Sequence, residues 1–344
     1  MVRLKDIAVR ANVSVMTVSK ALRDEPDVSE ATKGRIKGLA QQMGYVPDSS
    51  AQGLRTRTTK LLGLLIPSTT DPNVARMTMA IEERVHDLGY DLLLMHTLNA
   101  VEREEYCIRR MLARRVDGIF IAPVYRIDPE ARIYKELLAQ QTRVVLLGPS
   151  APFCNQFPSV QVDDLLASFA ATQHLIKLGH KRIAFLSGPT AAPWAQARFD
   201  GYRRALREAG MEVDDSLIFQ AGSTTEDGVK AASQVLDESC KATAVQAVND
   251  LVAIGFASTL LDQGVRIPQD ISLVGFGNSI TSEYFRVPMT TVRQPKFRLG
   301  TAAVEMMGQM LRGQRAETRR LPAELIVRSS SAAPAHVPQA TAQT

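Results

Sequence analysis

From residue 61 onward the chain alternates short apolar runs with amphipathic helical stretches, and this pattern restricts the fold more than any other feature. The first four apolar runs lie at 61–66, 90–95, 118–122 and 143–147. A repeated order of strand, helix and strand is typical of a parallel sheet covered by helices. We therefore predict that residues from 61 to about 160 form one α/β lobe.

A second series of the same kind follows. Its apolar runs lie at 182–186, 217–220, 244–248 and 271–276. A helix near 298–312 and a strand near 324–327 come after it, so we expect the chain to cross again between two lobes. The predicted divisions are an N-subdomain of about 61–160 and 294–321, a C-subdomain of about 161–293 and 322–328, and a disordered tail of 329–344. Two lobes joined by several crossings enclose a cleft that opens and closes about a hinge.

Residues 6–22 predict two short helices joined by a tight turn. Ile7 and Ala11 have the spacing of a buried helix face. Asn12 tolerates the left-handed backbone that the turn requires. Ser14 can then cap the second helix by accepting a hydrogen bond from a backbone amide.

A third helix from Ser29 to about Gln42, closed by Gly44, would complete a three-helix bundle within residues 1–47. The second helix turns outward a set of apolar, short polar and cationic side chains that suits the major groove of DNA: Val15, Met16, Thr17, Ser19 and Lys20. An ordinary amphipathic helical hairpin without a DNA role is the alternative that this periodicity leaves open.

The charge distribution favours a role in DNA binding. Residues 1–60 carry 11 Lys or Arg and 6 Asp or Glu, which accounts for the whole formal charge of +5 in the chain of 344 residues. A basic head on a neutral body is the electrostatic pattern of a nucleic-acid-binding protein. Because the sequence has neither a run of about 18 apolar residues nor an apolar leader, we expect a cytoplasmic protein without a membrane partner.

Residues 48–60 form a polar connector that is marginally helical. Asp48 or Ser49 could cap it, whereas Gly53 lowers its helix propensity by about 1 kcal/mol. Leu54 is its one large apolar side chain. Beside a DNA-binding head, such a leucine is a candidate wedge for the minor groove.

Residues for catalysis or metal binding do not occur in the required patterns. The three cysteines, Cys107, Cys154 and Cys240, are far apart, and the five histidines show no ligand spacing. A phosphate loop, a zinc-binding His-Glu-x-x-His sequence and a Gly-x-Ser-x-Gly elbow are absent from the sequence. We therefore expect a protein that is not an enzyme and has no cofactor and no metal site.

Several stretches of the chain, taken together, form a pattern that is specific enough to indicate a protein family. They are Leu4–Ala8, Val13–Ser19, Leu39–Pro47, Arg115–Gly118, Leu178–Ala184, Arg198–Tyr202, Asn249–Asp250 and Pro288–Val292. Through them, residues 3–328 resemble the lactose/galactose repressor (LacI/GalR) family of bacterial transcription regulators. The resemblance implies an α/β fold with an N-terminal helix-turn-helix domain and a two-lobed, periplasmic-binding-protein-like effector domain. It also implies a homodimer that binds a near-palindromic operator in double-stranded DNA and a small-molecule effector.

Carried over by position, the resemblance assigns contacts with DNA to the second helix. Val15, Met16 and Lys20 fall where the family reads base edges. Thr17 and Ser19 fall where the family touches phosphates. This assignment agrees with the chemistry, since Lys20 can donate to guanine and the apolar side chains can contact thymine methyl groups.

The resemblance also assigns a role to the connector. Leu54 falls where the hinge helix of the family inserts a leucine into the central operator step, and Ala51 packs there beside its symmetry mate. The weak helicity of the connector indicates a hinge that folds on the operator. The predicted DNA-binding residues are completed by Asn12, Ser14 and Arg55.

The effector cleft matches the family less closely. Arg198, Asn249 and Asp250 stand where the family grips its ligand, and such groups suit hydroxyls or carboxylates. Trp194 lies just before Arg198 and could stack on a ligand ring, although an ordinary half-buried loop aromatic is the alternative. The predicted effector-binding residues are completed by Asn278, Asp71 and Asn73.

Two positions that carry aspartate in the family differ here. The strands that end at Leu147 and Phe276 continue into Gly148 and Gly277. Because two carboxylates are absent while Arg198 remains, the sequence favours an acidic effector such as a sugar acid over a neutral sugar or purine. Inducer and corepressor roles stay open. A two-lobed solute-binding protein without a DNA role is the alternative function.

Overall fold

The computed structural model of the chain describes residues 2–46, 58–237 and 241–335. The chain divides into two compact units, Met1–Thr59 and Lys60–Thr344. Several residues named in the sequence predictions lie outside the described ranges: Asp48, Ser49, Ala51, Gly53, Leu54, Arg55 and Cys240. Cys107 and Cys154 are free thiols in the interior of the second unit.

The first unit contains the three predicted helices: α1 (Leu4–Ala11), α2 (Val15–Leu22) and α3 (Glu30–Gln42). Ile7, Val18 and Ile36 contribute one fully buried side chain from each helix to a common core. Ser29 caps α3 with its hydroxyl group, and Gly44 adopts a left-handed backbone with φ 66° just beyond the helix end. Local capping and apolar spacing thus produce the bundle that the sequence predicts.

The second unit contains two six-stranded sheets. Their strands in chain order are β1 (Leu61–Ile66), β2 (Asp91–His96), β3 (Gly118–Ile121), β4 (Val144–Leu147), β5 (Ser159–Val162), β6 (Ile183–Ser187), β7 (Ile218–Gln220), β8 (Ala244–Ala247), β9 (Ser272–Gly277), β10 (Thr290–Arg293), β11 (Arg319–Leu321) and β12 (Glu324–Ile326). The first sheet has the order β11-β5-β4-β3-β1-β2 and is parallel throughout. The second has the order β12-β10-β9-β8-β6-β7 and is parallel except for β12.

Helices cover both faces of each sheet. They are α4 (Pro72–Asp87), α5 (Val101–Ala113), α6 (Arg132–Ala139), α7 (Asp164–Lys177), α8 (Pro193–Glu208), α9 (Thr225–Asp237), α10 (Asp250–Asp262), α11 (Ile280–Glu283) and α12 (Lys296–Leu311). In the first sheet, α4 and α12 cover one face, and α5 and α6 cover the other. In the second sheet, α7 and α8 cover one face, and α9 and α10 cover the other. The central strands β1, β3 and β4 are nearly continuous apolar runs because they are buried on both faces, whereas the edge strands β2 and β11 are partly exposed. No helix of the described ranges is long and apolar enough to cross a membrane.

Each sheet with its helices forms one lobe, and the chain crosses between the lobes at three places. It crosses from β5 of the first lobe to α7 of the second, from β10 back to α12, and finally from β11 to β12. The predicted two-lobed α/β architecture with a late crossing is therefore confirmed. The carboxyl ends of parallel strands are where such folds bind ligands.

The prediction of disorder from residue 329 is wrong for residues 329–335. Leu273 N donates to Ser330 O at 2.7 Å, and Thr290 N donates to the hydroxyl of Ser330 at 2.8 Å. His180 Nε2 lies 2.8 Å from Ala332 O. The Ala- and Pro-rich composition suggested a tail without a core, but buried polar groups of β9 and β10 need partners, and this segment supplies them.

Candidate DNA-binding head and effector cleft

Two of the predicted DNA-binding residues, Asn12 and Ser14, shape the turn between α1 and α2. Asn12 adopts φ 52° and ψ 49°, and its side chain is exposed. The hydroxyl of Ser14 accepts a hydrogen bond from Thr17 N at 3.0 Å, and the hydroxyl oxygens of Ser14 and Thr17 lie 2.9 Å apart. These residues therefore set where α2 begins and which side chains its first turn presents.

The first turn of α2 presents apolar side chains to solvent. Val15 is 46% exposed and Met16 is 64% exposed, whereas Val18 in the same helix is fully buried. Methyl groups displayed at the start of a recognition helix can contact thymine methyl groups in the major groove. The exposure of Val15 and Met16 thus fits the reading role that the sequence assigns to them.

The polar side chains of α2 already have partners within the head. Lys20 Nζ forms an ion pair with Asp27, and the Lys20 hydrogen bond lowers the pKa of that carboxyl. The Ser19 hydroxyl accepts a hydrogen bond from Arg23 Nη1. Sequence reasoning missed both partners. The spacing from Ser19 to Arg23 is that of neighbours on a helix, which is a usable signal, whereas Asp27 lies in the following loop and offers none.

In the second unit, Arg198 projects from α8 and is 6% exposed. Its Nε and Nη2 atoms each lie 2.8 Å from Asp164 Oδ1, and its Nη1 donates to Val248 O at 2.7 Å. A guanidinium carries five N–H donors. Within the described ranges these three contacts leave one donor on each terminal nitrogen for a further acceptor.

Asp164 is a functional candidate that sequence reasoning missed. It is the first residue of α7, where the chain has just left β5 for the second lobe, and it is 6% exposed. Burial raises the pKa of its carboxyl, and the guanidinium of Arg198 opposes that rise. The signal in the sequence is an acidic pair, Asp163 and Asp164, directly after a buried strand.

Aromatic rings cover the Arg198 guanidinium. Its Cζ lies 3.6 Å from the ring centroid of Phe276 and 4.7 Å from that of Trp194. Trp194 is half-buried and also packs against the core of the second lobe. The structure therefore brings Trp194 and Arg198 together, and adds Phe276, which stands at the carboxyl end of β9.

The side chains of Asn249 and Asp250 are engaged within the second lobe. Asn249 caps α10 by accepting from Val252 N at 2.8 Å, and its amide donates to Ser223 O at 2.9 Å. Asp250 accepts from the Thr291 hydroxyl at 2.6 Å, and its other oxygen accepts from Ser279 N at 2.7 Å. Burial raises the pKa of Asp250. Both residues hold loops at the strand ends of the second lobe in place.

Asp71 and Asn73 approach the second lobe from the start of α4. The Asp71 carboxylate caps that helix by accepting from Asn73 N at 2.8 Å. A Cβ atom built on Gly277 would lie 2.6 Å from Asn73 Nδ2 and 3.3 Å from an Asp250 oxygen. Asn73 of the first lobe therefore fills the space beside Gly277 of the second lobe. Its Oδ1 is buried without a hydrogen-bond partner in the described part of the chain.

Asn278 joins the same cluster through its backbone and its side chain. It adopts a left-handed backbone with φ 50°, and its carbonyl accepts from Lys296 Nζ at 2.6 Å. Its side-chain oxygen accepts from Arg328 Nη2 at 2.8 Å. Burial lowers the pKa of Lys296, and the carboxylates of Asp250 and Asp71 oppose that shift. Ionic groups from both lobes thus meet at the amino end of α12.

A helix-turn-helix head together with a two-lobed body that gathers polar and aromatic groups between its strand ends defines a DNA-binding regulator with a ligand-binding domain. The model of bacterial regulatory proteins of the lacI family matches residues 3–48, and the model of a periplasmic binding protein-like domain matches residues 172–331. The chain belongs to the lacI family, as the sequence resemblance predicts.

Individual relatives agree with this assignment. The HTH-type transcriptional repressor PurR of Photobacterium profundum is 32% identical over 337 residues, which cover 96% of this chain and 98% of that protein. The Lac repressor dimer bound to operator and the anti-inducer ONPF is 26% identical, with a TM-score of 0.86 and coverage of 96% of this chain and 99% of that one. A complex of the transcriptional regulator CelR with cellobiose is 28% identical, with a TM-score of 0.73 and coverage of 96% and 100%. The chain is a transcription regulator and not an enzyme.

Proposed function

We propose that this protein is a cytoplasmic, homodimeric repressor that binds a near-palindromic operator and responds to a small carbohydrate. The observation that carries the proposal is the capped helix α2, which exposes Val15 and Met16 at its first turn. An effector that binds one arrangement of the lobes better than the other shifts the dimer towards that arrangement and changes operator affinity.

In this proposal each head reads one half-site through α2. Val15, Met16 and Lys20 contact base edges, and Lys20 leaves Asp27 to do so. Thr17, Ser19 and the neighbouring Asn12 and Ser14 lie near phosphates. The connector residues Ala51, Leu54 and Arg55 bind the centre of the operator, where Leu54 is the wedge in the minor groove.

Exposed apolar side chains on the first lobe support the homodimer. Met79 is 60% exposed, Leu94 is 37% exposed and Leu98 is 59% exposed. Leu94 belongs to β2, which is an edge strand of the first sheet. Because an exposed apolar edge strand invites association, we assign this edge to contact with a second copy of the chain. Sedimentation velocity of a Leu94→Glu variant should show monomers where the unaltered protein shows dimers.

The pairing of Arg198 with Asp164 bears on the effector class. An acidic effector follows from the sequence only if the guanidinium charge is unpaired, and here a buried carboxylate compensates it. The two remaining N–H donors suit ligand hydroxyl oxygens, and the Trp194 ring offers an apolar face for a sugar ring. We therefore favour a neutral carbohydrate, and a sugar acid becomes the alternative to be tested.

The DNA role is tested by selecting binding sites from random double-stranded DNA with the full-length protein. A palindromic consensus is expected, and removal of residues 1–58 should abolish DNA binding while ligand binding persists. A full-length protein that selects no sequence at low salt yet binds a sugar would instead be a solute-binding protein. A protein that converts the sugar would contradict the proposal altogether.

The effector class is tested by thermal unfolding in the presence of neutral mono- and disaccharides, uronates and aldonates. Stabilisation by a neutral sugar is expected, and it should be lost in Arg198→Ala. Stabilisation by uronates or aldonates alone would contradict the neutral class and restore the acidic one.

A further inference from the structure

Tyr125 lies between the two lobes, in the loop that follows β3. Its ring packs against the apolar core of the first lobe that includes Phe153, and also against the apolar core of the second lobe that includes Val248. Trp194, which stacks on Arg198, packs against that same second-lobe core. Tyr125 therefore reaches across the cleft to the wall that carries the predicted ligand-binding groups.

The phenol occupies the space beside a position that departs from the family pattern. A Cβ atom built on Gly148 would lie 2.9 Å from Tyr125 Oη, which is closer than real Cβ atoms approach other groups. The same hydroxyl donates to Pro149 O at 2.7 Å. Gly148 is thus compatible with Tyr125, whereas a larger residue at 148 would compete with the phenol for one volume.

The segment that carries Tyr125 is held firmly within the first lobe. Val124 N donates to Glu104 Oε1 at 2.8 Å, and Arg126 forms an ion pair with the other oxygen of Glu104. Tyr134 also donates its hydroxyl hydrogen to Glu104, at 2.8 Å. Because Glu104 is fully buried, it anchors both neighbours of Tyr125 to the lobe interior. The ring is therefore presented to the second lobe from a rigid support.

We propose that Tyr125 is a wall of the effector cleft that closes its end beside Gly148 and holds the first lobe against the second. The wall excludes ligand groups from the corner between β4 and the second lobe, where a side chain at 148 would otherwise face the ligand. This inference rests on the proposed small-molecule cleft. Its test requires neither DNA nor effector, so failure to find either would leave the test of Tyr125 unaffected.

The first measurement uses the only tryptophan of the chain, Trp194, as a reporter of cleft opening. In full-length protein, acrylamide should quench Trp194 fluorescence more strongly in Tyr125→Ala than in the unaltered protein. Tyr125→Phe keeps the ring and should retain the original quenching. Leu112→Ala is the matched control, because Leu112 is a half-buried side chain on the same first-lobe core. Unchanged quenching in Tyr125→Ala, or an equal rise in Leu112→Ala, would overturn the proposal.

The second measurement is a double-variant cycle on melting temperature. Gly148→Ala should lower the melting temperature less in a Tyr125→Phe background than in the unaltered protein, because the hydroxyl that the new methyl meets is gone. The backbone strain of Ala at φ 119° is present in both backgrounds and cancels in the comparison. Equal losses in the two backgrounds would show that Tyr125 and residue 148 do not share a volume, and would overturn the assignment.

Discussion

The Arg198 guanidinium and the Asp164 carboxylate form a buried ion pair in which two nitrogens lie 2.8 Å from one carboxylate oxygen. Asp164 begins the first helix after the chain crosses into the second lobe, and Arg198 lies under the Trp194 ring. The pair therefore connects a crossing between the lobes with the predicted ligand-binding wall. It also leaves Arg198 oriented before any ligand arrives.

Removal of one partner should be costly. We expect Asp164→Ala to lower the free energy of unfolding by about 3–5 kcal/mol, because it leaves a buried guanidinium without its carboxylate. Urea unfolding monitored by Trp194 fluorescence measures this loss. Glu208→Ala breaks the exposed pair with Arg204, and as a control it should cost less than about 1 kcal/mol. Similar costs for the two variants would contradict the structural importance of the buried pair.

In the DNA-binding head, Lys20→Ala should relax base preference. We expect a loss of roughly 1–3 kcal/mol in discrimination against the wrong base, which is typical of one lost base contact. The measurement is a binding-site selection followed by titration of the selected and altered sites. Lys37→Ala is a suitable control, since Lys37 is also an exposed lysine paired with an aspartate, Asp24, but lies on α3. An unchanged half-site for Lys20→Ala would show that Lys20 does not read a base.

Because Asp27 forms an ion pair with Lys20, we expect Asp27→Ala to change operator binding differently from Lys20→Ala. Without the carboxylate, Lys20 no longer has to give up a partner before it reaches DNA. We therefore expect operator affinity at low salt to rise while the preferred sequence stays the same, and a titration over salt concentration should show a steeper dependence. A weakened complex would indicate that Asp27 positions Lys20 for binding instead of restraining it.

We expect the free energy of unfolding to fall in acid because of two histidines, His174 and His180. Burial lowers the pKa of His174 and of His180 below the ordinary value of 6.5. The unfolded chain therefore takes up protons at a pH where the folded chain does not, so the free energy of unfolding falls as pH falls below about 6.5. Urea unfolding across this range should show a smaller fall in His180→Gln.

The sequence predicted the head well because its signals are local. Asn12 at the turn, Ser14 at the cap and Val18 in the core depend on neighbours within a few residues, and the structure has each in the expected conformation or burial. The alternation of strands and helices was equally informative, since burial of a strand on both faces leaves a continuous apolar run. The late crossing between the lobes was predicted because a helix and a strand remained in the sequence after the second series of apolar runs.

The predictions that depended on composition or on isolated residues were less successful. The segment that contains Ser330 has the composition of a disordered tail, yet Ser330 is 1% exposed and bonds to two strands. The sequence favoured an acidic effector because two family aspartates are absent while Arg198 remains, but Asp164, which lies 34 residues away, pairs with Arg198, and no local spacing relates the two. The space beside Gly148 is likewise occupied by Tyr125, which lies in the loop after a different strand.

By itself, the sequence determined the helix-turn-helix head, the two α/β lobes and the residues that stand at their strand ends, because capping, periodicity and burial act over short stretches of chain. Only the tertiary structure decided which of those residues meet. It paired Arg198 with Asp164, set Asn73 beside Gly277 and filled the space beside Gly148 with Tyr125. These contacts depend on how separate strands are ordered in the sheets and how the lobes approach each other, and spacing along a single chain does not encode such distances.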